Sequence, residues 1–396
     1  MTEQRQTSEE YIVKSFQAED LVKLTNEANQ RHLEYSQTNP NAKANIYLQS
    51  VETLDGFAEC KGYDYNKGVD YNEVFKTYIN TGFQASLLGQ AIEEVNKMIK
   101  WRLTDEPIAD NETEEYKIME NREKVRCTIF LGYTSNMTSC GMREYIKYLC
   151  QHKMIDAIVT TCGGVEEDFM KCMAPHYLGD FYLKGKDLRL QGLNRIGNLV
   201  VPNANYCKLE AFMVPILQTM HKEQKEKGEI WSPSKIINRM GQEINNEDSI
   251  YYWCWKNDIP VFCPAITDGA IGDIIYFHSY NEPGFICDLS QDIRKLNDLA
   301  LNAKRSGQLI IGGGVIKHHI CNANLMRNGA DYSVYINTGF DMDGSDAGAR
   351  ADEAVSWGKI KLDTRHVKVW AEATLVLPIL IGETFAKNFD LAKRTL

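Results

Sequence analysis

Gln308-Leu309-Ile310-Ile311 runs straight into Gly312-Gly313-Gly314, and a helical stretch bearing His318 follows. A short apolar strand, a turn that needs small residues and then a helix form the half-unit of a parallel sheet, because parallel strands must be joined by crossovers. The same order recurs along the chain. Cys127-Thr128-Ile129-Phe130-Leu131 precedes Ser135-Asn136-Met137-Thr138-Ser139 and a helix around Arg143 to Leu149. Ala157-Ile158-Val159-Thr160 precedes Gly163-Gly164 and a helix starting at Glu166-Glu167-Asp168. Pro260 to Ile266 precedes Thr267-Asp268-Gly269 and a segment from Ile271 to Phe277. Tyr332 to Ile336 precedes Asn337-Thr338-Gly339, and Val367 to Trp370 precedes Ala371-Glu372-Ala373-Thr374. Continuous apolar strands alternating with helices predict an α/β fold, a mostly parallel sheet with helices on both faces. In such sheets ligands bind beyond the carboxyl ends of the strands, where these polar turns fall.

Around this repeat, Gly82 to Trp101 carries apolar residues at helical spacing, from Leu87 to Ile99. Thr104 to Arg126 is acidic and nearly free of apolar runs, so it reads as an exposed excursion. Residues 1–50 are polar, with amphipathic pieces at Tyr11–Phe16 and near Leu21–Leu24, and read as an N-terminal arm before one large domain over 51–396.

With 43% hydrophobic and 25% charged residues the 396-residue chain is globular in composition. Its net charge of −10 disfavours nucleic acid and anionic membranes and favours cationic partners. The eleven cysteines form no C-x-x-C pair and several sit in apolar runs, as buried free thiols of a reducing compartment do. The start Met1–Gln6 has no signal-peptide core and no stretch approaches a membrane span, so a soluble, cytoplasmic protein is expected.

The chemistry concentrates in Asp343-Gly344-Ser345-Asp346-Ala347-Gly348-Ala349-Arg350-Ala351-Asp352-Glu353-Ala354-Val355-Ser356-Trp357-Gly358-Lys359. Carboxylates in a glycine-bearing loop can receive a cation, an indole offers a wall for methylenes, and a lysine kept neutral is a nucleophile. Read alone, Lys359 is more readily a solvated surface amine than a nucleophile, and Gly312–Gly314 is equally a tight turn with no G-x-G-x-x-G around it.

This run, with Lys317-His318-His319-Ile320-Cys321-Asn322-Ala323-Asn324-Leu325-Met326-Arg327-Asn328-Gly329-Ala330-Asp331, Thr160 to Asp168 and Arg195 to Asn203, resembles the deoxyhypusine synthase family. The resemblance runs from about Gly62 to Ala386. It implies a Rossmann-like domain binding NAD through Asn136, Ser139, Thr161, Gly163, Glu167, Asp268, Gly313, Asn337, Thr338, Glu372 and Ala373. Glu372 stands where the family usually has aspartate, Ala347 where it has serine and Cys162 where it has alanine.

The resemblance also implies spermidine as substrate. Asp346 and Glu353 are expected at one end, Asp273 at the other, Trp357 as the wall, and Glu166, Asp343, Gly344, Ser345, Asn322 and Leu325 as further lining. Lys359 is the implied nucleophile and His318 the proton acceptor; His319, adjacent on the helix, points elsewhere. The aminobutyl group passes to a lysine of the eukaryotic translation initiation factor 5A precursor, in a homotetramer with sites at subunit interfaces. Members of the family carry an N-terminal segment that occludes a neighbouring site. Two rivals follow: homospermidine synthase, which uses putrescine as acceptor, and an inactive regulatory paralogue, which should lack Lys359, His318, Glu353 or Trp357. The remaining histidines, His32, His152, His176, His221, His278 and His366, form no ligand-spaced group, so no metal is expected.

Overall fold

The computed structural model describes residues 56–394 together with isolated positions 23, 26–28, 30, 31 and 34. The expected arm over 1–50, apart from those positions, lies outside the described residues. The compact unit that holds the sheet begins at Cys60.

In chain order the elements that build it are α1 (Phe83–Lys100), β1 (Thr128–Tyr133), α2 (Asn136–Ser139), α3 (Arg143–Gln151), β2 (Ala157–Thr160), α4 (Cys162–Met173), β3 (Tyr177–Leu178), β4 (Leu193–Ile196) and β5 (Leu199–Pro202). They continue with α5 (Asn203–Lys227), α6 (Pro233–Ile244), α7 (Ile250–Lys256), β6 (Val261–Phe262), α8 (Ala270–Asn281), α9 (Ser290–Asn302), β7 (Ser306–Ile311), α10 (Val315–Leu325), β8 (Tyr332–Asn337), α11 (Ala351–Ser356), β9 (His366–Trp370) and α12 (Ala373–Ile381).

Six strands form one parallel sheet in the order β6-β2-β1-β7-β8-β9. Counted within that sheet the order is 3-2-1-4-5-6, that of the doubly wound dinucleotide-binding fold, and the direction in which strands are added reverses between β1 and β7. Side chains alternate between two cores. Ile129, Leu131, Leu309, Ile311, Val334 and Ile336 pack into the larger layer, which includes α1, α4, α5, α6, α7 and α12. Phe130, Ile310 and Tyr335 point the other way, onto α9, α10 and α11. Burial on both faces is why these strands read as unbroken apolar runs rather than alternating ones.

Three features depart from the sequence expectations. The Pro260–Ile266 run yields only Val261–Phe262 as strand, because Pro260 and Pro264 lack the N–H a ladder requires. The acidic Thr104–Arg126 stretch is mostly exposed, as expected, but also tied down: Arg122 is fully buried and donates to the carbonyls of Leu103, Glu106, Pro107 and Tyr116, while Glu106 accepts from Trp101 and Arg305. A second, antiparallel sheet, β3-β5-β4, had no expectation at all. Its β4–β5 hairpin turns on Gly197-Asn198, with Gly197 at φ 59°, a two-residue signal readable in the sequence.

Candidate active site

Lys359 is placed by the way α11 ends. Gly358, at φ 71°, donates to the Val355 carbonyl (2.9 Å), and Lys359 N donates to that of Ala354 (2.9 Å). These two bonds form the Schellman stop, so the Trp-Gly-Lys ending is a helix terminator that delivers lysine at a fixed place. The Lys359 carbonyl then accepts from Ala330 N (3.1 Å) and Gln308 Nε2 (3.3 Å), pinning the backbone to the sheet.

From that anchor Lys359 Nζ reaches His318 Nε2 at 3.2 Å and stands 5.6 Å from the centre of the Trp357 ring. His318, Asn322 and Leu325 share one face of α10, as residues four and three apart must. With Asp346, Ala349, Arg350, Glu353 and Trp357 they enclose a cleft of about 400 Å³. The cleft is open: Trp357 is 65% exposed and Asp346 and Glu353 are exposed. Its acidic wall is held from behind by two lysines the sequence reading did not single out. Lys317 Nζ donates to the Asp346 and Ala349 carbonyls, and burial lowers its pKa. Lys368 Nζ donates to the Gly339 and Gly348 carbonyls and pairs with Asp341. Buried lysines give no sequence signal separating them from surface ones.

The other expected substrate residues do not join this cleft within one chain. Asp343, Gly344 and Ser345 form an exposed turn in which the Asp343 carboxylate accepts from Ser345 N (2.8 Å), so that carboxylate serves the turn. Glu166 is buried at the start of α4, where it accepts from Ile271 N (3.0 Å) and Cys162 Sγ (3.4 Å). Burial raises its pKa, and nearby Asp273, exposed on the first turn of α8, adds to the rise. Gly269 makes this approach possible, since a Cβ there would stand 2.9 Å from both Glu166 carboxylate oxygens.

All eleven expected cofactor residues fall where the six parallel strands end. Asn136 and Ser139 follow β1; Thr161, Gly163 and Glu167 follow β2; Asp268 follows β6; Gly313 follows β7; Asn337 and Thr338 close β8; Glu372 and Ala373 follow β9. At the switch point Gly312 has φ 109°, and a Cβ on Gly313 would stand 2.5 Å from Ala347 Cα. Glu167 Oε2 is buried without a hydrogen-bond partner, and burial pushes that carboxyl up to about 7. His176, whose ring nitrogens are likewise buried and unpartnered, lies 4.0 Å from it and is pushed down to about 4, again by burial. Gly163, where a Cβ would stand 3.6 Å from Glu167 Oε1, lies beside this unsatisfied carboxyl, and such a small-residue turn with a free acceptor fits a nucleotide with polar hydroxyls. Glu372 is already engaged, as the cap of α12 accepting from Thr374 N (3.0 Å).

The deoxyhypusine synthase family model matches residues 73–384. The chain belongs to the deoxyhypusine synthase family. It is 61% identical over 349 residues to a "probable deoxyhypusine synthase" of Dictyostelium discoideum, covering 88% of this chain and 92% of that one. A homospermidine synthase of Senecio vulgaris is 52% identical over 358 residues, 89% of this chain and 96% of that one. Among solved structures, that of a "putative deoxyhypusine synthase" from Entamoeba histolytica is 35% identical with a TM-score of 0.60, over 82% of this chain and 96% of that one. The chain is therefore an enzyme of the deoxyhypusine synthase family, with the parallel α/β sheet of its structural relative. None of the side chains whose loss would mark an inactive relative, Lys359, His318, Glu353 and Trp357, is missing.

Two further facts qualify the sequence expectations. His221 meets His278 and Glu282, which stand four residues apart at the end of α8, so the expectation that the histidines form no ligand-spaced group took no account of residues brought together by the fold. Among the described residues no helix is long and apolar enough to cross a membrane.

Proposed function

We propose that this enzyme transfers the 4-aminobutyl group of spermidine to a lysine of the eukaryotic translation initiation factor 5A precursor, forming deoxyhypusine and 1,3-diaminopropane. The observation that carries the reading is the contact between Lys359 Nζ and His318 Nε2 in a cleft walled by Trp357 and two carboxylates. Asp346 and Glu353 hold one ammonium of the substrate, and Trp357 lies along its methylenes. NAD, held by the strand-end loops, supplies a hydride acceptor for the carbon beside the secondary amine and afterwards a hydride donor for the product. His318 takes the amine proton, and Lys359 Nζ attacks the imine carbon. The C–N bond to diaminopropane breaks, leaving the aminobutyl group as an imine on Lys359. The acceptor lysine then displaces Lys359, returning its amine.

The far end of spermidine calls for Asp273 and Glu166, which lie outside the Lys359 cleft of the same chain. A second copy supplies them in this reading, in a homotetramer with shared sites. The open side of the cleft supports it, as does α8, where Asp273 stands on the same helix as exposed Tyr276, Phe277 and Tyr280. All eleven thiols are free, which suits the cytoplasm.

The 52% identity to a homospermidine synthase favours one rival, transfer to putrescine. Incubating the enzyme with spermidine, NAD and either the precursor protein or putrescine decides between them. Deoxyhypusine on the precursor is expected, and product formed only with putrescine would overturn the assignment.

A further inference from the structure

His221 on α5 and His278 on α8 face one another with Nδ1 and Nε2 2.9 Å apart, and the Glu282 carboxylate comes within 3.9 Å of the same His221 nitrogen. One ligand atom from each lies within 4.8 Å of the others. A tetrahedral ion with bonds of about 2.1 Å holds its donors roughly 3.4 Å apart. The separations of 2.9 and 3.9 Å straddle that value and no donor is more than 4.8 Å from another, so side-chain adjustments without backbone movement would seat the ion.

The surroundings are built around this group. His221 is fully buried and His278 nearly so. The Phe285 ring packs on both imidazoles, 5.8 and 6.3 Å between centroids. Gln224 fixes the segment carrying Phe285 from both sides, donating to the Gly284 carbonyl (2.7 Å) and accepting from Ile286 N (3.0 Å). One wall is thus apolar and rigid. On the other, the Glu282 side chain is 40% exposed, leaving a path for an ion and a position for water. Without an ion the two rings share one N–H···N hydrogen bond, and an ion would take its place by accepting a lone pair from each of these nitrogens.

We propose that His221, His278 and Glu282 form a binding site for a borderline divalent cation of the zinc class. Two imidazoles and one carboxylate are a zinc donor set. The ion would cross-link α5 to α8 near the carboxyl end of α8, while Asp273 stands on the first turn of the same helix. None of its three residues lines the Lys359 cleft, and the site stands independently of the reaction assigned above.

Zinc chloride titrated into the metal-stripped full-length enzyme against a colorimetric chelator tests this, with thermal unfolding followed in parallel. The site predicts one equivalent bound per chain with a raised Tm. Binding should weaken more than about ten-fold in Glu282→Gln, whose exposed position spares the fold, and vanish in His221→Gln/His278→Gln. Cobalt(II) should give ligand-field bands without thiolate charge transfer, separating this site from stray cysteine binding. Equal zinc uptake by wild type and Glu282→Gln, or thiolate bands in the cobalt spectrum, would overturn the proposal.

Discussion

A buried carboxyl with an unpartnered oxygen is costly once it ionises, and Glu167, through its Oε2, is such a group. Its proton is held to about pH 7 in the folded chain against an ordinary value of 4.5. Between those values the folded state binds more protons than the unfolded one, so this group's contribution to stability falls as pH rises from about 4.5 to 7. His176 acts in the opposite sense. With its pKa pushed from 6.5 down to about 4, it adds stability as pH rises through that range. The pair therefore partly cancels. Glu167→Gln removes one side of the balance, and urea unfolding should show the variant gaining on wild type between pH 5 and pH 8, by at most about 3 kcal/mol. A stability difference that stays flat with pH would show that the carboxyl is ionised in the fold throughout. Of the site residues, Lys359 and His318 were legible in sequence because a long motif surrounds them. The engaged state of Glu372 and the bracing by Lys317 and Lys368 were not, since both depend on which carbonyls the fold brings near.

At the scale of elements the decisive object is the end of α11. Three residues close a helix, turn the chain and aim an amine, and Gly358 carries the turn with its positive φ. Gly358→Ala should cost about 1 kcal/mol in unfolding free energy, because an alanine there pays for a left-handed backbone. The new Cβ would meet Leu325 Cδ1 at 3.4 Å, so the fold should survive while Lys359 is mis-aimed. Spermidine cleavage should then fall further than stability does; unchanged turnover would mean the terminator does not position the nucleophile. The parallel strands were legible because burial on both faces leaves a continuous apolar signature, and the strand-end turns because glycines punctuate them. The antiparallel β3-β5-β4 sheet was missed: its strands are short, Tyr177 and Leu178 are exposed, and only Gly197-Asn198 marks the hairpin. The acidic excursion is mostly exposed, as expected, but the one buried arginine that ties it down, Arg122, was invisible among its carboxylates.

At the scale of the whole molecule the substrate residues divide into two groups, one around Lys359 and one around Glu166 and Asp273. Sequence order cannot show such a division, since it treats residues of one motif set as one place. If two chains complete each site, two crippled variants should rescue one another. Lys359→Ala and Asp273→Ala, each inactive alone, should on co-expression recover about a quarter of wild-type activity, the statistical share of intact sites in a symmetric pair. No recovery would place the whole site within one chain. The proposed reaction turns on one chemical event, the passage of a four-carbon fragment onto the Lys359 amine. Borohydride added to enzyme turning over spermidine with NAD, without acceptor, should fix that fragment on the chain, and peptide mass mapping should find it on Lys359 alone. Release of diaminopropane with no adduct, or an adduct on another lysine, would contradict the account.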